Sequence, residues 1–201
     1  MLNHTDLTGL TSIASAVSAL MLLLPGVDGI ARPRQAILIA AVFVLMLIPF
    51  GGMPLAAYIR GMTGDLSIAA LALLWCALLQ PWLVKPSLKN KQSRATLLIL
   101  IALTSLALYP MALGVGMLDP YRWGYSNPLF VAVLLLIALT AWLVRFYLVA
   151  LCIALATLAW AIGWYESDNL WDYLLDPFVA IYALAAVMAR AAKVQYTRLL
   201  P

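Results

Sequence analysis

Two short polar segments pair an arginine with an aspartate, and these residue types can act on an anionic group. Arg60 and Asp65 are five residues apart, and Asp119 and Arg122 are three apart. A guanidinium binds phosphate or carboxylate through two parallel hydrogen bonds, and a nearby carboxylate can act as a general base. We therefore expect Arg60 and Arg122 to be binding residues and Asp65 or Asp119 to be the catalytic candidates. Alternatively, Arg122 pairs locally with Asp119.

Aromatic side chains flank the second of these arginines. Tyr121, Trp123 and Tyr125 surround Arg122 in a segment that also contains proline and glycine. Such rings are typical of the aromatic belt at a membrane interface. Tyr121 and Trp123 are also candidate binding residues, if the segment lines a pocket.

Four carboxylates form a third polar segment, within eleven residues near the C-terminal end of the chain. They are Glu166, Asp168, Asp172 and Asp176. Oxygen ligands suit a hard divalent cation, but the spacing does not match an EF-hand loop, so the sequence predicts no metal site. Glu166 and Asp168 are kept as binding candidates. Asp176 also precedes Pro177, which is the pattern of a capped helix start.

The elements that position these segments are apolar helices. Of 201 residues, 66% are hydrophobic and 10% are charged, with a mean hydropathy of +1.01. This excludes a soluble globular domain. Because lipid-exposed backbone must satisfy its own hydrogen bonds, the apolar runs are predicted to be helices. The sequence thus predicts an all-α, polytopic membrane bundle in a single domain, residues 1–201, with seven spans at 7–27, 35–59, 66–84, 95–118, 128–144, 146–164 and 177–193.

Several kinds of chemistry are disfavoured by the composition. His4 is the one histidine, and Cys76 and Cys152 lie inside apolar runs, so haem, zinc and di-iron sites lack ligands. The common catalytic motifs are absent, and we expect no cofactor. No predicted span has an ionisable residue in its apolar core, which argues against ion-coupled transport. Gln80, the most polar residue within a span, is expected to make an interhelical hydrogen bond.

Charge divides sharply between the loops of the seven-span plan. Ten of the twelve basic residues fall on one side, and seven of the eight acidic residues fall on the other with Arg60 and Arg122. The positive-inside rule makes the basic side cytoplasmic, so the N-terminus is outside and the C-terminus inside. The stretch from Lys85 to Arg94 belongs to the basic side and attracts anionic headgroups. All three polar segments then lie outside.

The second predicted span is interrupted by Pro49, Gly51, Gly52 and Pro54. Irregular backbone at membrane depth must be buried in protein or line a wet cavity. We consider two structures. In the first, residues 55–59 lie flat or dip back as a re-entrant piece, and the segment forms the floor of a pocket with Arg60 and Asp65 at its rim. In the second, a long helix kinks and ends in an ordinary polar turn.

These observations favour a small protein of a bacterial inner membrane that works through its periplasmic face. The leading hypothesis is an accessory or interaction component of a cell-envelope system, with membrane lipids and another membrane or periplasmic protein as partners and no nucleic acid. The alternatives are a membrane-embedded enzyme acting on a lipid-linked phosphate or anionic headgroup at the outer leaflet, and a small-molecule or lipid transporter.

Overall fold

The computed structural model describes residues 4–79 and 91–199, and this part of the chain is almost entirely helical. The all-α prediction is therefore confirmed. Two strands of two residues each, β1 (Pro49–Phe50) and β2 (Met53–Pro54), form a small hairpin. The helices are α1 (His4–Leu20), α2 (Arg32–Leu47), α3 (Leu55–Thr63), α4 (Ile68–Leu78), α5 (Lys91–Ala112), α6 (Pro128–Leu143), α7 (Tyr147–Ala161), α8 (Leu170–Leu174) and α9 (Pro177–Leu199).

The predicted interruption of the second span is a complete break. Helix α2 ends at Leu47, and the hairpin follows before α3 begins. Gly51 and Gly52 adopt φ angles of 63° and 100°, which cost little without a Cβ atom. Tyr58 of α3 donates its hydroxyl hydrogen bond to the carbonyl of Phe50 at 3.1 Å. Helix α3 and residues Ile68–Cys76 of α4 are bent by 117° relative to each other. The region after α2 is therefore a sharply bent helix pair and not the continuation of one long, kinked helix.

Other helix ends differ from the predicted spans by a few residues. α1 gives way to a 3₁₀ turn after Leu20 and does not reach residue 27. α5 starts at Lys91 and includes Pro110, but it ends at Ala112 because Gly114 and Gly116 take φ angles of 93° and 101°. α9 continues past residue 193 to Leu199.

On the predicted basic side, the structure describes the α6–α7 turn but not the end of the predicted span 66–84. α6 and α7 form the expected tight turn, in which Arg145 adopts a φ of 64°. Gln80, Lys85, Lys89 and the end of the predicted span 66–84 lie outside the described residues.

Two hydrophobic clusters hold the helices together. The larger one joins α4 to α9 and includes Leu148, Cys152 and Leu170, and the smaller one joins α1 to α3 through Ile13 and Ala56. Large apolar side chains also cover the outside of the bundle: Leu136 is 63% exposed. A face of this kind is unfavourable in water and favourable against lipid.

Helices long and apolar enough to cross a membrane are present in the described residues. Two qualify by length and composition, His4–Leu23 and Gln92–Ala112, and a third is added if the bent pair Leu55–Thr63 and Ile68–Cys76 forms one span. α6 and α7 are apolar but shorter. Membrane association is thus supported, while seven spans remain a prediction.

Candidate functional site

The three polar segments meet at one end of the bundle, which also includes the start of α1. The Thr8 hydroxyl donates to the carbonyl of Trp164, the Tyr165 hydroxyl donates to Ser12 at 3.0 Å, and an isolated β-bridge joins Tyr125 to Asn169. We call this region the acidic end, after its five contacting or cavity-lining carboxylates: Asp6, Asp65, Glu166, Asp172 and Asp176.

Arg60 of α3 lies at the centre of an ion-pair cluster. Its Nε and Nη2 atoms donate to the two oxygens of Asp65 at 2.6 and 2.9 Å. Nη1 lies 3.4 Å from Asp6, and Nη2 lies 3.3 Å from Glu166. The Arg60 side chain is 17% exposed, so its guanidinium is surrounded by carboxylates and is largely withdrawn from solvent.

Gly9 of α1 makes this cluster possible by its small size. A Cβ atom at Gly9 would lie 2.5 Å from Nε of Arg60 and 2.6 Å from Oδ1 of Asp65. These distances are much shorter than van der Waals contact, so the bidentate pair packs directly against the α1 backbone at Gly9. Glycine is required here for close approach and not for an unusual backbone angle.

A cavity of about 400 Å³ opens beside the cluster. This volume is in the range of small-ligand pockets. Its lining includes three carboxylates, those of Asp65, Asp172 and Asp176. It also includes four aromatic side chains, which we call the aromatic wall: Tyr109, Tyr121, Tyr165 and Trp171. The hydroxyl of Tyr109 is buried and has no hydrogen-bond partner among the described residues, so the cavity has an unused polar atom in its wall.

Asp172 and Tyr121 connect two of the polar segments. The Tyr121 hydroxyl lies 3.0 and 3.1 Å from the two carboxylate oxygens, and Ser167 donates to the same carboxylate. Burial, followed by the charge of Asp172, raises the pKa of Tyr121 above its ordinary value. The phenol therefore stays protonated and acts as a donor to the carboxylate.

Asp176 is buried, with 4% exposure, and joins two helix starts. Its Oδ2 accepts hydrogen bonds from the backbone N–H of Ser67 at 2.9 Å and from its hydroxyl at 2.7 Å. Its Oδ1 accepts from the N–H of Val179 at 2.8 Å. The carboxylate thus lies at the positive ends of both α4 and α9, which compensates part of its charge.

Asn169 fixes the 3₁₀ segment Pro120–Gly124 against α8. Its Nδ2 donates to the carbonyl of Tyr121 at 3.0 Å, and its Oδ1 accepts from the N–H of Trp171 at 3.0 Å. The Trp171 indole donates to the carbonyl of Pro120 at 3.0 Å. A Cβ atom at Gly124 would overlap the Asn169 side chain. The Tyr121 and Trp171 part of the aromatic wall is therefore fixed by hydrogen bonds between the two segments.

The predicted site residues separate into two groups. Arg60 contacts both Asp65 and Glu166, and Tyr121 lines the adjoining cavity. The remaining four are exposed and do not line this cavity: Asp119, Arg122, Trp123 and Asp168.

Asp119 accepts a hydrogen bond from the N–H of Tyr121 at 3.1 Å, which caps the 3₁₀ segment. No salt bridge joins Asp119 to Arg122 in the described part of the chain. The two arginine–aspartate pairs thus do not form one continuous cluster.

Sequence reasoning missed several residues that complete the acidic end. Asp6 is distant in sequence from its partner Arg60, and Gly9 is an ordinary glycine within a helical pattern. The pattern Ser67 followed by an apolar run did contain a signal, because serine is a preferred N-cap residue. Asn169, two residues before Trp171, likewise had the position of a cap.

No family model matches the chain, and neither a characterised protein nor a solved structure matches it. Among the described residues, no group of three or more His, Cys, Asp or Glu side chains is arranged to hold a metal ion.

Proposed function

We propose that the chain is an inner-membrane protein of seven helical spans whose acidic end faces the periplasm and binds a basic side chain of a partner protein. It acts as an interaction component of a cell-envelope system. The observation that carries this proposal is the lining of the cavity, which combines three carboxylates with four aromatic side chains.

Contacts between helix ends support the proposed topology. Ser67 and Asp176 join the starts of α4 and α9, which the seven-span plan places on the outer side. At the opposite end, the N–H of Leu148 donates to the hydroxyl of Ser93 at 3.3 Å and joins the starts of α7 and α5. Acidic segments thus cluster at one end, and Arg94 and Arg145, near the starts of α5 and α7, lie at the other, a distribution that fits the positive-inside rule.

The charge of the acidic end favours a cationic ligand. Asp172 and Asp176 receive hydrogen bonds from neutral donors but have no salt bridge among the described residues. Carboxylates partly withdrawn from water gain most from a positive partner. Tyr121, Tyr165 and Trp171 also line the cavity, and aromatic rings attract cations. An ammonium or guanidinium group would therefore suit both the carboxylates and the rings of the lining.

The same geometry weakens the phosphate-binding alternative. Arg60 already contacts three carboxylates, so an anion at this point would meet more negative than positive charge. Arg122 is exposed and outside the cavity. The enzyme hypothesis stays a prediction.

Orientation is tested by cysteine labelling in intact cells. Native Cys76 and Cys152 are replaced by alanine, and single cysteines are introduced by Asp168→Cys and Arg34→Cys at exposed positions. A membrane-impermeant maleimide should label position 168 in intact cells and position 34 only after lysis. The reverse pattern would contradict the topology.

Cation binding is tested by thermal unfolding of the purified protein with butylammonium, against equal concentrations of sodium. We expect stabilisation of the unmodified protein and its loss in Asp172→Asn, while Asp168→Asn keeps it because Asp168 is exposed outside the cavity. Equal responses of both variants would contradict a cation site.

Photo-crosslinking from exposed Trp123 in native membranes tests the partner: recovery of this chain alone would remove the basis for an interaction role.

A further inference from the structure

An apolar groove lies on the side of the bundle, and its lining extends from Ile59 and Leu66, which adjoin Arg60 and Asp65 in sequence, to Arg94 of α5. Its volume is about 590 Å³. Residues from α1, α3, α4 and α9 form its walls, including Val17, Ile59, Leu74 and Phe178. Thr63, Arg94 and Tyr182 are its polar lining residues within the described chain. The groove therefore has the surface chemistry of a hydrocarbon binding site.

Arg94 gives this groove one positively charged point. Its Nη2 donates to the Tyr182 hydroxyl at 2.7 Å. Tyr182 belongs to α9, within the predicted span 177–193, so the guanidinium reaches along the helices beside hydrophobic side chains. The described residues provide no salt bridge to Arg94.

An arginine in this position favours an anionic partner. Arg94 directly precedes the predicted span 95–118, and arginine side chains near a helix end extend to the lipid headgroups. Tyrosine is neutral, so the hydrogen bond to Tyr182 does not neutralise the charge of Arg94. A phosphate bound bidentately at Arg94 would compensate it.

We infer that the groove binds one anionic phospholipid, with an acyl chain along the apolar wall and the phosphate at Arg94. The two parts of such a lipid match two parts of the groove. The acyl chain matches the apolar walls, and the anionic phosphate matches Arg94, the one charged lining residue in the described chain. Basic pockets between helices on the cytoplasmic side are a recurring form of lipid recognition. This inference rests on the membrane placement proposed above, but not on the cation site.

Native mass spectrometry of the delipidated protein tests the site by titration with defined lipids. Phosphatidylglycerol and phosphatidylcholine with identical acyl chains separate headgroup charge from hydrocarbon, and glycerol phosphate separates the lipid from its free headgroup. We expect one tightly held phosphatidylglycerol, weaker phosphatidylcholine and no retained glycerol phosphate.

Three variants divide the contributions. Arg94→Gln should weaken phosphatidylglycerol binding roughly tenfold or more, because it removes the positive charge and the bidentate hydrogen bonds to the phosphate. Ala70→Phe places a ring in the groove and should weaken both lipids. Arg34→Gln removes the same charge from an exposed position outside the groove and should change neither.

Unchanged phosphatidylglycerol affinity in folded Arg94→Gln would overturn the inference, as would equal losses in Arg94→Gln and Arg34→Gln. Circular dichroism and a monodisperse elution profile establish that each variant is folded. Failure here leaves the butylammonium result intact, and failure of the cation site leaves the lipid titration intact, so the two proposals are separately testable.

Discussion

Asp176 and Ser67, separated by 109 residues in sequence, share two hydrogen bonds of 2.9 and 2.7 Å at the acidic end. Ser67 is the N-cap of α4, where its hydroxyl accepts from the N–H of Ala70. Asp176 caps α9 through Val179. One carboxylate thus fixes the relative position of two helix starts and the cavity wall between them.

Asp176→Ala should destabilise the protein by roughly 2 to 4 kcal/mol, because it removes a helix cap and leaves the N–H groups of Ser67 and Val179 without an acceptor. Denaturant unfolding in mild detergent measures this. Asp176→Asn keeps one oxygen acceptor and should lose less. Asp168→Ala, at an exposed position, should change the free energy of unfolding by less than about 0.5 kcal/mol. Equal effects at 168 and 176 would contradict the capping role.

Gly9→Ala should destabilise the protein by roughly 1 to 3 kcal/mol, because the new methyl group would occupy the position of the Arg60–Asp65 pair. Gly61→Ala is the matched control: Gly61 is inside α3 and a Cβ atom there meets nothing within 4 Å. That variant should be neutral or stabilising by up to about 1 kcal/mol.

A double-mutant cycle identifies the cause of the Gly9→Ala effect. In the Arg60→Ala background the guanidinium is absent, so most of the Gly9→Ala penalty should disappear. If the penalty is unchanged, the close approach between α1 and the ion pair is not its source.

Some elements of this fold are determined by local signals in the sequence, and others depend on how distant segments pack. Proline, glycine and capping residues predicted the break near Pro49 and the start of α9, since these residues act within one or two turns. The contact of Arg60 with Asp65 was also predictable from proximity. The approach of Asp6 and Glu166 to Arg60 was not, because it depends on how α1, α3 and the segment after α7 pack. Arg122 has a residue type suited to binding, but it is exposed and does not line the cavity. Residue type alone therefore did not determine its position.

Stability should fall in alkaline solution as buried tyrosines ionise. Burial is the main cause that raises the pKa values of Tyr121, Tyr165 and Tyr173 above the ordinary value of about 10. The folded state therefore holds these protons more tightly than the unfolded state. Their stabilising contribution is complete below about pH 10 and is lost as the pH rises through the raised pKa values.

Thermal unfolding and phenolate absorbance between about pH 8 and about pH 12 measure this loss. Tyr121→Phe cannot ionise at this position, so its stability should fall less steeply than that of the unmodified protein. An exposed tyrosine substituted in the same way, Tyr196→Phe, should leave the slope unchanged. Tyrosines that all titrate near their ordinary value in the folded protein would contradict the structure.

Asn169→Asp should open the aromatic wall of the cavity, although the two side chains have nearly the same shape. Asn169 is completely buried and donates from Nδ2 to the carbonyl of Tyr121. An aspartate would present an oxygen to that carbonyl and bury a charge, at a cost of roughly 2 to 4 kcal/mol. Asn127→Asp makes the same chemical change where the oxygen only caps α6 by accepting from Leu129 and Phe130. Aspartate caps equally well, so that variant should retain its stability. Butylammonium stabilisation and tryptophan fluorescence should change in Asn169→Asp alone, and equal behaviour of the two variants would show that the Asn169 amide does not hold this wall in place.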